Sequence, residues 1–219
     1  HRGCDGPAVM PFEESRDLAQ TIALYQRSNA GCSGTMLRPR PYWDYTPSRA
    51  RGVLPTVVAR DPAHLLGYLN YELESDGACV SEVAWASTPA LQALVRHLLA
   101  ECDAGAVTQV HGEIPHNHPF VDALVATAEA DLQPTGNGSM MALPLDVPSL
   151  IDKVLPEATA EIRRMPTDLL CRLLFGESSG RDLMPILRTR GIELGAQGAR
   201  RLEELCPRRE LIFWPPDHF

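Results

Sequence analysis

Residues 57–99 read VVARDPAHLLGYLNYELESDGACVSEVAWASTPALQALVRHLL. From Leu65 to Glu74 the odd positions are mostly apolar and the even ones turn polar, the period of two that marks a half-buried strand. Asp61-Pro62 before this run and Asp76-Gly77 after it supply turn chemistry. The next run, Cys79 to Ser87, alternates more weakly and ends at Thr88-Pro89, a capping hydroxyl followed by proline at the first helical position. Leu91, Leu94, Val95, Leu98 and Leu99 then recur at the spacing of one helical face. The stretch predicts strand, strand, strand, helix, with no glycine where the helix begins. That is the layout of a nucleotide- or coenzyme-binding core without its phosphate cradle.

Working outward, Leu18, Ile22 and Tyr25 predict a helix over Ser15 to Asn29, followed by a loop from Gly31 to Gly34. A proline- and aromatic-rich passage, Arg38 to Pro47, is read as a turn or short helix around Tyr42 and Trp43. Strands are expected at Val53 to Arg60, Leu65 to Glu74 and Cys79 to Ser87, then a helix at Pro89 to Glu101. A strand at Ala106 to Glu113 leads into a helix at Pro119 to Ala130. Gln133 to Gly138 reads as a loop and Ser139 to Leu145 as a last strand. After Asp146 the pattern becomes short helices broken by proline and glycine: Ser149 to Leu155, Asp168 to Phe175, Asp182 to Arg190 and Ala199 to Leu205. The expected organisation is thus an α/β domain over 1–145 and a small helical region over 146–219.

With 219 residues, 44% hydrophobic and 22% charged, the chain is long enough for a sizeable core. The net charge of −8 argues against nucleic acid or an anionic membrane surface as a partner, since phosphate contacts need concentrated positive charge. No apolar run approaches the roughly 20 residues of a membrane span, and no secretory signal opens the chain, so a cytoplasmic location is expected. The six cysteines are scattered, with no CxxC pair, and are read as reduced, largely buried thiols. Lys153 is the only lysine, which leaves little room for lysine-based covalent catalysis.

The order of elements from Val9 to Leu145, with a short first strand at Ala8 to Met10, resembles the GCN5-related N-acetyltransferase (GNAT) fold: a mixed, mostly antiparallel sheet flanked by helices. Leu66-Gly67-Tyr68-Leu69, following Val57 to Asp61, looks like the hairpin of that family's second and third strands. The resemblance implies that the fourth strand, Cys79 to Ser87, and the third helix, Pro89 to Glu101, bracket the place where the family holds the pyrophosphate of acetyl-CoA. The family does so with a Gln/Arg-x-x-Gly-x-Gly/Ala turn of bare amides at a helix N-terminus. Here the matching residues are Ala86-Ser87-Thr88-Pro89-Ala90-Leu91-Gln92, with no glycine and a proline that removes a donor. Trp85 would also crowd the coenzyme arm.

Phe213-Trp214-Pro215-Pro216-Asp217-His218-Phe219, together with the helical region, resembles the C-terminal end of tandem GNAT proteins of the Eis-like kind. That resemblance implies a degenerate second GNAT domain whose partner is an intact GNAT domain upstream of His1. The chain begins His1-Arg2-Gly3 without methionine and is read as a fragment or processed product. The resemblance also implies a role for the terminal carboxylate of Phe219 as general base toward an amine. With a solution pKa of about 3.5, that carboxylate needs desolvation, which Phe213 and Trp214 are placed to supply.

Other candidates are weighed against plainer readings. His111, His116 and His118 with Glu113 offer metal-ligating groups, but match no zinc spacing, and Asn117 or His118 fits as a helix cap. Ser33 and Ser178-Ser179 lack a nucleophile elbow. Arg38, Arg40, Tyr42 and Trp43 are read either as a recognition surface or as packed rings with solvated arginines. Arg163-Arg164 and Arg200-Arg201 read as solvated charges, and Tyr68 and Tyr71 as core or sheet-face residues. Neither a metal site nor a cofactor site is assigned.

Two functions stay open. One is the C-terminal part of an acetyl-CoA-dependent N-acetyltransferase, supporting the reaction rather than binding the coenzyme. The other is a non-catalytic interaction module on a GNAT scaffold. Self-association through a face meant for a partner domain is a further expectation.

Overall fold

The structure, a computed structural model, describes residues 6–32, 35–44, 53–115, 118–133, 147–175 and 178–207. These fall into two compact units, one built from residues 6–30 and 35–133, the other chiefly from 147–207.

The first unit is a five-stranded sheet in the order β1-β2-β3-β4-β5: β1 Ala8–Pro11, β2 Val57–Arg60, β3 Leu65–Leu73, β4 Ala78–Trp85 and β5 Val110–Gly112. The first four strands pair antiparallel, and β5 joins β4 in parallel. Among the described residues, four helices accompany the sheet: α1 Glu14–Asn29, α2 Arg40–Asp44, α3 Thr88–Ala104 and α4 Pro119–Ala128. This is the mixed α/β architecture expected from the sequence.

Strand β3 departs from its expected half-burial, because every residue from Gly67 to Tyr71 is buried. Both faces are covered. On the odd face α3 crosses over Gly67, where a Cβ would stand 3.0 Å from Leu94 Cδ1, 3.2 Å from the Ala84 carbonyl oxygen and 3.5 Å from Ala90 Cβ. Only a residue without a side chain allows that approach. On the even face α1 covers Tyr68, Asn70 and Glu82, which the register of β3 with β4 places on one side. Asn70 and Glu82 are therefore buried polar groups that must find partners inside, whereas Glu72 and Glu74 are exposed.

The start of α1 is tied to the sheet by Asp17, a fully buried carboxylate. It accepts the Glu13 amide at 2.9 Å, as a helix-start acceptor should, is paired with Arg16 Nη2 at 2.7 Å, and forms an ion pair with Arg60 on β2. Burial alone would raise the Asp17 pKa, but the bonds from Arg16 and Glu13 and the positive charge of Arg16 and Arg60 hold it below the ordinary carboxylate value.

Strand β5 is shorter than the expected Ala106 to Glu113 because the preceding helix runs further. Helix α3 continues to Ala104, and its exit consumes Gly105 to Val107, with Ala106 left-handed at φ 54° and the Val107 amide bonded to the Cys102 carbonyl.

The described residues of the second unit form five helices: α5 Val147–Val154, α6 Ala160–Arg163, α7 Thr167–Leu174, α8 Gly180–Thr189 and α9 Ala196–Leu205. No strand occurs among its described residues. Its core gathers Ile151, Leu155, Ile162, Leu169, Leu183, Leu187 and Leu202. The unforeseen α6 is too short for a periodic signal, and its start rests on Thr159, whose hydroxyl accepts the Ile162 amide at 3.4 Å. Helix α8 begins with a capping box between Ser179 and Asp182. The strand expected at Ser139 to Leu145 lies outside the described residues, as does nearly all of the loop before it. No helix among the described residues is long and apolar enough to cross a membrane.

Candidate functional site

The end of β4 and the start of α3 form the turn on which a coenzyme reading depends. Trp85 closes the β3–β4 ladder opposite Gly67, and the Ala86 amide donates to the Leu66 carbonyl at 2.7 Å. Ser87 is extended, with φ −153° and ψ 151°, and its side chain makes no capping bond. The Ala90 and Leu91 amides both donate to the Ser87 carbonyl, at 3.0 and 3.1 Å. Pro89 has no amide to give. Of the amides from Ala86 to Leu91, only those of Ser87 and Thr88 stand outside these bonds. A diphosphate held at a helix N-terminus needs several converging N–H groups. This turn does not fit one.

Beside the turn, β4 parts from β5. The two strands pair only over Ala78 to Val80 and Val110 to Gly112, and from Ser81 onward the ladder of β4 runs to β3 alone. The rings of Trp85, at the end of β4, and His118, just before α4, meet edge to face, with centroids 5.4 Å apart and planes at 79°. His118 occupies the residue before α4, but its side chain makes no capping bond. It is buried at 6% exposure, and desolvation lowers its pKa to about 4 against the opposing charge of Asp122. It is therefore not a solvated loop histidine titrating near neutrality.

That depression sets a pH dependence. The unfolded chain takes up the His118 proton near pH 6.5 and the folded chain only near 4, so stability is full above 6.5 and falls as the pH drops toward 4. The expected loss is at most about 3 kcal/mol, and His118→Gln should flatten the pH profile of urea midpoints over that window. The contribution of Asp17 lies elsewhere, being lost only below its ordinary pKa of 3.8. An unchanged profile in His118→Gln would show that another group governs the slope.

A second cluster lies on the opposite, even face. Arg38, in the segment between α1 and α2, is only 2% exposed, and Glu82 on β4 only 1%. Arg38 Nη2 meets Glu82 Oε2 at 2.6 Å, while the Tyr68 hydroxyl donates to Glu82 Oε1 at 2.5 Å. Burial first, and the Glu82 charge second, push the Tyr68 pKa well above its ordinary value. The guanidinium carbon of Arg38 lies 4.2 Å from the ring centre of Tyr25 and 5.3 Å from that of Trp43. The Trp43 indole N–H donates to the Arg38 carbonyl at 3.2 Å, and the Tyr25 hydroxyl to the Met36 carbonyl at 2.7 Å. Both carboxylate oxygens of Glu82 are engaged, so this is a closed network rather than a base facing solvent.

The structure thus splits the group Arg38, Arg40, Tyr42 and Trp43. Trp43 is fully buried and Arg38 is buried with it, correcting the reading of solvated arginines, whereas Arg40 is exposed and pairs with Asp44 at 3.1 Å. Tyr71 is in the core, and its hydroxyl lies 3.1 Å from His97 Nε2 on α3. His111 is exposed whereas His118 is buried, and no group of three or more metal-ligating residues occurs among the described residues. Ser178 is buried and Ser179 caps a helix. Arg163 pairs with Asp152 at 2.5 Å and Arg201 with Glu157 and Glu204, so neither is merely solvated. Five described cysteines are free thiols, only Cys102 and Cys206 being buried. His116, Ser33, Phe213, Trp214 and the Phe219 carboxylate lie outside the described residues.

Sequence reasoning passed over Glu82. The lone charged residue in a mostly apolar strand, Cys79 to Trp85, was the signal available, because a buried carboxylate requires a cationic or hydroxyl partner.

Residues 34–142 match the family model described as an acetyltransferase (GNAT) domain. No curated protein matches the chain. Among solved structures, the protein TTHA1254 of Thermus thermophilus is similar at 14% identity and a TM-score of 0.41, over 63% of this chain and 98% of that one. A point mutant of the same protein is similar at 13% identity and 0.39, with the same coverage.

Proposed function

We propose, from the match of residues 34–142 to a GNAT acetyltransferase domain, that this part of the chain supports acetyl transfer from acetyl-CoA to an amine without itself gripping the coenzyme. The observation behind this is the start of α3, where Pro89 removes one donor and the Ala90 and Leu91 amides are spent on Ser87. Trp85 and His118 add bulk where β4 and β5 part. In this reading the chain is the C-terminal part of an N-acetyltransferase whose coenzyme is held by another GNAT domain upstream, and the Phe219 carboxylate serves as base toward the amine.

Titration calorimetry with acetyl-CoA is the test. The chain alone is expected to give no saturable heat, whereas a micromolar dissociation constant would overturn the proposal. The reading frame supplies a second check. An upstream domain with the glycine-rich turn fits the supporting role, and a frame that lacks one contradicts it.

A further inference from the structure

Arg38 is held by side chains that together have the chemistry of a cation receptor. Tyr25 comes from α1, Trp43 from α2, Tyr68 from β3 and Glu82 from β4, so four elements converge on one guanidinium. The rings offer their faces or edges at 4.2 and 5.3 Å, and the carboxylate meets the charge at 2.6 Å. Tyr25 and Trp43 are themselves locked edge to face, with centroids 5.6 Å apart. The second carboxylate oxygen is fixed by the Tyr68 hydroxyl. Aromatic faces with one desolvated carboxylate are what an organic cation needs for binding.

The occupant arrives on a short connection rather than on a helix or strand. Residues 35–39 carry no regular structure, and Leu37, next to Arg38, is 91% exposed. The backbone of this strap is pinned at two points, Met36 to Tyr25 and Arg38 to Trp43. A buried charge delivered by a surface strap differs from one built into the core, because its departure leaves the receptor's walls in place on their own elements.

We propose that Tyr25, Trp43, Tyr68 and Glu82 form a binding pocket for alkylguanidinium cations, which the chain fills in cis with Arg38. The inference is independent of whether the domain binds a coenzyme. Removing the Arg38 side chain to alanine deletes the atoms of ethylguanidinium, which is therefore the probe. In Arg38→Ala, ethylguanidinium is expected to raise the melting temperature with the logarithm of its concentration, by about 5 °C or more once it exceeds its dissociation constant about tenfold. The uncharged ethylurea should give no such rise, and Glu82→Gln in the same background should abolish the effect.

Arg38→Ser, a second truncation that vacates the same site, is measured alongside in case the alanine variant does not fold. If neither folds alone, recovery of the folded far-ultraviolet spectrum with ethylguanidinium supports the pocket, and no recovery overturns it. Equal shifts with ethylguanidinium and ethylurea, or none with either, also overturn it.

Discussion

Replacing Glu82 by alanine is expected to destabilise the first unit by about 3–5 kcal/mol, read as a drop in the urea midpoint at neutral pH. The substitution leaves the Arg38 guanidinium, which lies at 2% exposure, facing apolar and aromatic groups without its carboxylate. It also strips the Tyr68 hydroxyl of its acceptor in a site that water does not reach. The cost comes from stranded polar groups, not from an attraction simply summed across 2.6 Å. Replacing all three polar partners together, as in Arg38→Met with Glu82→Leu and Tyr68→Phe, should therefore cost far less than Glu82→Ala alone. A loss below about 1 kcal/mol in Glu82→Ala would mean that the pair is not desolvated as described.

The second large effect is expected in the helical unit. A Cβ on Gly180 would stand 2.4 Å from the Leu202 carbonyl oxygen and 2.5 Å from its carbon. Both are backbone atoms of α9, which no rotamer change can move aside. The Gly180 amide also donates to the Cys206 carbonyl at 2.9 Å, so α8 and α9 are fastened at the point where alanine would force them apart. Leu183, Leu187 and Leu202 beside this contact are each fully buried and would lose their packing. Gly180→Ala is expected to cost at least the upper end of the roughly 1–3 kcal/mol typical of overpacking. The check is thermal unfolding followed by circular dichroism. Gly191→Ala is the control: φ is +67° there, but nothing lies within 4 Å of the added methyl, so the expected cost is only the roughly 1 kcal/mol of a left-handed non-glycine residue. Equal losses at the two sites would contradict the close approach at Gly180.

How far the sequence could be read depended on the kind of signal. The apolar stripe of Leu91, Leu94, Val95 and Leu98 is periodic and local, and α3 follows it. The turns at Asp61-Pro62 and Asp76-Gly77 placed β3 within a residue of its observed ends. The expectation for the cradle rests on another kind of signal, since a proline and the absence of glycine are statements about amide donors that need no tertiary structure.

What escaped the sequence was tertiary. Polar residues at even positions of β3 and β4 signify water on one face only if nothing covers it, and coverage by α1 is set by residues far along the chain. The partnership of Arg38 with Glu82 spans 44 residues, and no spacing rule reports it. His118 looked like one member of a loop cluster, yet the ring it meets edge to face is that of Trp85. In each case the residue type was suggestive and its partner decided the chemistry.

The functional reading stands or falls with the first turn of α3, which has too few open amides to hold a diphosphate. Amide-resolved magnetic resonance, following Ser87, Thr88, Ala90 and Leu91 while coenzyme A is titrated in, addresses this at the atoms concerned. No saturable shift at these four amides is predicted. Concerted saturable shifts there, with a micromolar midpoint, would contradict it.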